Sequence, residues 1–91
     1  MKDDVIIPIS MDWSKEEIID VVNFYEGVDK AYKKGIDREL MLVLYHHFKK
    51  VVRSKGEEKG YFKDYEEQTD QSPYHVMKLA REAKDQKVIK M

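Results

Sequence analysis

The sequence has no cysteine, only two prolines and no surplus of either charge, since 17 basic side chains stand against 18 acidic ones for a formal net charge of −1. Without cysteine there is no disulfide framework, no thiolate nucleophile and no thiolate-bound metal, so the fold rests on packing and suits a reducing compartment. The balanced charge argues against a dedicated DNA-binding domain, which carries a basic excess. No stretch approaches the roughly 20 apolar residues that a membrane helix needs. Asp3 and Asp4 precede a short apolar run broken by Pro8, which lacks the organisation of a secretory signal. The expectation is a cytoplasmic protein with no membrane partner.

What the sequence does have is helix punctuation. Ser14-Lys15-Glu16-Glu17 reads as a capping box, in which the serine oxygen and the glutamate satisfy each other's free amides. Behind it Ile18, Val22, Tyr25, Val28 and Tyr32 make an apolar stripe opposite a polar one at Glu16, Asp20, Asn23, Gly27, Lys30 and Lys34. Gly35 is placed to end this helix in the left-handed conformation. Asp37 caps a second helix, whose run from Leu40 to Tyr45 is apolar on nearly all sides and predicts the most buried element of the fold. Ser54 with Glu57 repeats the capping box, and Ser72-Pro73 starts a fourth helix. Gly56 and Gly60 weaken the third helix, each costing about 1 kcal/mol against alanine.

The reading is therefore all-α: one compact four-helix domain of 91 residues, with helices at about 14–34, 37–52, 55–68 and 73–86 and a fraying tail from Lys84. An extended N-terminal arm over residues 1–13 follows from the β-branched, proline-containing run Val5-Ile6-Ile7-Pro8-Ile9. Trp13, just before the first cap, is expected to anchor the core by packing on the Ile18 turn.

Asp12-Trp13-Ser14 with Glu16-Glu17, Tyr45-x-x-Phe48-Lys49 and Lys55-Gly56-Glu57-Glu58-Lys59 occur in this order along the chain. By these motifs the chain resembles the YktA-type family of small bacterial proteins of unknown function, over roughly residues 8 to 84. The resemblance implies a compact multi-helix fold in a bacterial cytosolic protein and carries no activity, cofactor or site residue with it. Two departures stand out. Arg53 occupies a position where similar proteins tend to have proline, and Asp70-Gln71 replaces a glycine–aromatic pair. The first predicts a softer break between helices two and three, and the second removes an aromatic from the corner before helix four.

No catalytic or metal-binding constellation emerges, and no cofactor is expected. His46 and His47 point about 100° apart on a continuous helix and cannot chelate one ion. His47 falls in line with Leu40, Leu44 and Val51 and reads as a partly buried core residue, while His75 stands alone. The run from Lys55 to Lys59 offers free amides at a helix start, but the cap and two glutamates give it a structural explanation. Lys49, Lys50 and Arg53 form a candidate basic patch, the basis of an alternative reading as a nucleic-acid or ribonucleoprotein accessory. The balanced charge and the lack of interleaved aromatics weigh against it. The favoured expectation is a non-catalytic protein-interaction module, with a small enzyme third. Its contact surface is placed at Met41, Leu42 and Tyr45 on helix two, meeting an unknown protein or a second copy of the chain in a homo-oligomer.

Overall fold

The computed structural model describes Ile7 and residues 9–91; the rest of the expected arm, residues 1–6 and 8, lies outside the described residues. Each cap in the sequence starts a helix. Ser14 accepts from the Glu17 amide while Glu17 accepts from the Ser14 amide at 2.8 Å, opening α1 (Lys15–Lys33). Asp37 accepts from the Leu40 amide at the head of α2 (Arg38–Val51). Ser54 opens α3 (Lys55–Thr69), and Ser72 with Pro73 opens α4 (Pro73–Glu82). The break between α2 and α3 forms without proline, because the Ser54 cap is sufficient. Despite its two glycines α3 runs unbroken for 15 residues.

Three expectations are corrected. Helix four stops at Glu82 rather than near 86, and the tail does not fray. It returns to pair a two-residue strand, β2 (Val88–Ile89), antiparallel with β1 (Ile36–Asp37), so that Ile89 sits fully buried opposite Ile36. Burial of two isoleucines outweighs continuing a helix of polar residues. Gly35, at φ +95°, ends α1 as expected and also makes room for β2, because a Cβ there would lie 2.9 Å from Val88 Cγ1.

The second correction concerns the centre. The helix that buries the most residues is α1, with Val21, Phe24, Tyr25, Gly27, Val28 and Ala31, whereas α2 buries Met41 and Phe48. Phe24 stacks on Phe48 at 4.5 Å and on Phe62 at 5.8 Å between ring centres, joining three helices through one side chain. Such offset aromatic pairs add to the area they bury. Gly27 belongs to this contact rather than to a wet stripe: α2 crosses α1 there, with Leu44 and Met41 against the bare Cα.

The third is His47, which is exposed, as is His46. Leu44 and Val51, in line with it, pack partly against the core, while His47 itself is left in solvent.

A polar seam joins α1 to the corner between α3 and α4. The buried Gln71 donates to Asp29 at 2.8 Å and accepts from the Tyr65 hydroxyl at 3.1 Å, while the Ser72 amide donates to the Tyr32 hydroxyl. Asp70 turns the corner with φ 60°, the left-handed conformation that glycine adopts more easily. Trp13 is half-buried and finds its ring partner on α3, edge-on to Tyr61 at 5.6 Å. Both Trp13 and Ile7 pack against the core.

Candidate functional site

The antiparallel run of α3 and α4 leaves a cleft of about 280 Å³ between them, closed at one end by Tyr45 from α2. Its floor is apolar. Phe62 and Met77 are buried there, each on the inward stripe of its helix. Its rim is cationic: Lys55, Lys59 and Lys63 recur every four residues along α3, and Arg81 faces them from the last turn of α4. Glu58 lines the Tyr45 end, and Glu66 and Tyr74 also border the cleft.

The Tyr45 end is a fixed polar arrangement. Lys49 donates to one oxygen of Glu58 at 2.5 Å, and the Tyr45 hydroxyl donates to the other at 3.1 Å. The Arg81 guanidinium lies 5.8 Å from the centre of the Tyr45 ring, within cation–π range. Burial first, and the Glu58 carboxylate second, push the Tyr45 hydroxyl above its ordinary pKa, so it stays protonated and donating. With Glu58 engaged by two donors, Arg81, Lys55 and Lys59 are the charges presented to an incoming group.

The contact surface expected on helix two divides. Met41 is fully buried in the core and cannot meet a partner, and Leu42 is half-buried and packs on the core. Tyr45 does reach a concave surface, the cleft. Leu40 and Val43, about half exposed, form the uncovered apolar side of α2, so self-association through this helix would have to run over them. The basic patch divides too. Lys49 turns into the ion pair with Glu58, while Arg53 bends back to donate to the Lys50 carbonyl. Among the described residues, no group of three or more histidine, cysteine or acidic side chains could hold a metal ion, and no helix is long and apolar enough to cross a membrane.

Sequence reasoning missed Lys63, Tyr74, Met77 and Arg81. The row Lys55-Lys59-Lys63 was visible as a four-residue repeat, but Arg81 enters only through the packing of α3 against α4.

Comparison with known proteins adds the family. An uncharacterised protein family, UPF0223, matches residues 4–89. The chain belongs to it. Among UPF0223 relatives, the protein of Lysinibacillus sphaericus is 48% identical over 84 residues, covering 92% of this chain and 88% of the relative. The protein OB1419 of Oceanobacillus iheyensis is 49% identical over 81 residues, covering 89% and 92%. YktA of Bacillus subtilis is 44% identical over 81 residues with the same coverage, which bears out the resemblance drawn from the motifs. UPF0223 membership brings no activity with it, so function rests on the geometry of the cleft.

Proposed function

We propose that this protein is a non-catalytic protein-interaction module, whose α3–α4 cleft docks an acidic segment of a partner protein in the bacterial cytoplasm. One observation carries the reading: Arg81, held over Tyr45, and the lysine row of α3 enclose an apolar floor at Phe62 and Met77. A carboxylate gains charge-assisted hydrogen bonds from such a guanidinium, and an apolar side chain beside it gains burial on the floor. Charge complementarity thus selects the occupant. Binding is favoured over catalysis because the groups at the Tyr45 end already satisfy one another: Glu58 is held by Lys49 and Tyr45, and Tyr45 keeps its proton.

Titration of isotope-labelled protein with a leucine-containing, glutamate-rich peptide tests the reading. Amide shifts should cluster at Lys59, Phe62, Met77 and Arg81 and weaken with salt. Arg81→Glu should abolish them while leaving the melting temperature within a few degrees. Single-stranded RNA is the counter-probe, and tighter binding of RNA than of the peptide at these residues would overturn the proposal in favour of a nucleic-acid role.

A further inference from the structure

We infer that the occupant of the cleft is an amphipathic helix whose carboxylates repeat every four residues beside the lysines of α3 and whose apolar face lies on Phe62 and Met77. The inference rests on the acidic-segment reading and goes beyond it by naming the conformation and spacing that the cleft selects.

The first observation is what the walls can offer a peptide backbone. Both walls are helices, α3 and α4, and their main-chain groups are used internally apart from the ends. The strands of the described fold, β1 and β2, pair with each other and contribute no residue to the cleft lining. An extended segment laid here would find no strand edge to bond with and would leave amides and carbonyls unpaired wherever it excluded water. A helix arrives with its backbone bonds already made. Two antiparallel helices with an apolar floor between them form the kind of groove into which a third helix packs.

The second observation is spacing. Lys55, Lys59 and Lys63 stand about 6 Å apart along the axis of α3, a row about 12 Å long. On the opposite wall Met77 and Arg81 are also one turn apart. Aspartates or glutamates four residues apart on a partner helix repeat at the same interval, so each can face one lysine without loss of register. An apolar side chain one turn from an acidic one would reach the floor while the acid meets Arg81. The cations are not evenly spread. Arg81, Lys55 and Lys59 gather near Tyr45, whereas Glu66 and Tyr74 line the cleft toward the α3–α4 corner. The acidic density of the partner helix should therefore be greatest at the end that lies over Tyr45.

The test uses three peptides of about 15 residues titrated into the labelled protein. The first carries leucine and glutamate at helical spacing, with its glutamates four residues apart. The second has the same composition in strict alternation, which favours an amphipathic strand. The third is the first with lysine in place of glutamate. The helical acidic peptide should bind with shifts along Lys59, Lys63, Met77 and Arg81 and gain helical circular dichroism on binding. The alternating peptide should bind at least about tenfold more weakly, and the basic peptide not at all. Lys59→Glu should weaken the first peptide about tenfold, with an unchanged amide spectrum elsewhere confirming that the variant is folded. Equal or tighter binding of the alternating peptide would overturn the helical inference while leaving the acidic-segment reading in place. Failure of both acidic peptides, or capture of the basic one, would overturn the reading itself.

Discussion

Helices α1 and α3 are both opened by a serine cap and both contribute a central aromatic, yet they do opposite things. Over 19 residues α1 buries six, and it is the element against which the rest is assembled. Over 15 residues α3 buries only Phe62 and Tyr65. Its four-residue repeat falls on lysines instead of apolar side chains. The fold is determined mainly by α1 and its contact with α2, so α3, held by one narrow stripe, keeps a flank free to line the cleft.

The largest test of this contrast is a pair of truncations. Phe24→Ala should lower unfolding free energy by about 3–5 kcal/mol, because it removes the ring that α1, α2 and α3 share. Phe62→Ala should cost at least about 1 kcal/mol less, since the space it leaves opens toward the cleft and can hydrate. Equal losses in urea denaturation would mean that α3 is as central as α1.

Next come two lysines on α2. Leu42→Lys forces a charge against the core and should destabilise by about 2 kcal/mol, whereas Leu40→Lys, at an exposed site, should change stability by no more than about 0.5 kcal/mol. Thermal melts of the two variants separate them directly. Coincident melts would show that Leu42 is as free of the core as Leu40.

A smaller difference comes from one substitution made twice. Nothing lies within 4 Å of a Cβ placed on Gly60, so Gly60→Ala in α3 should raise stability by about 0.5–1 kcal/mol through helix propensity alone. At Gly27 the same Cβ would come 2.8 Å from Leu44 Cδ1 and 3.2 Å from Met41 Cε. The propensity gain there should be offset by displaced side chains, for a net change near zero. Equal gains would mean that the α1–α2 contact is loosely packed.

The smallest effect is confined to acid pH and tests the seam between the two regions. Burial acts to raise the Asp29 carboxyl, but hydrogen bonds from Gln71 and Lys33 outweigh it and hold the carboxyl below its ordinary value of 3.8. The folded state therefore favours the charged form. The stabilisation is fully present above that ordinary value and is lost as pH falls through the lower folded value. Asp29→Asn should flatten the acid limb of a plot of melting temperature against pH and leave its neutral region little changed in slope.

The helix starts were legible because a cap is local: Ser14, Asp37, Ser54 and Ser72 each act on amides within three residues. What failed was anything decided at long range. The six apolar residues from Leu40 to Tyr45 suggested a buried centre, yet Leu40 and Val43 are about half exposed, because the helices of the described residues pack on the other sides of α2. Ile89 looked like part of a loose tail, since its partner Ile36 lies 53 positions earlier in the sequence. Gly27 looked like part of the polar stripe rather than a crossing point for α2. The lysine row could be read from spacing, but its meaning depends on Arg81 and on the floor at Met77, which only the packing of α4 brings alongside.

The edge-on pair of Trp13 and Tyr61 also gives the molecule a built-in optical reporter. Trp13 is the one tryptophan in the sequence, so its emission reports a single place. At 5.6 Å from the Tyr61 ring it can accept excitation energy from that tyrosine. On α3, Tyr61 points roughly 160° away from Lys59 and Lys63, so Trp13 watches the flank opposite the cleft. A ligand that fills the cleft should leave the emission maximum where it is. Detachment of α3 should shift it to the red and end the energy transfer, so the intrinsic fluorescence of the unlabelled protein distinguishes occupation of the cleft from loss of its wall.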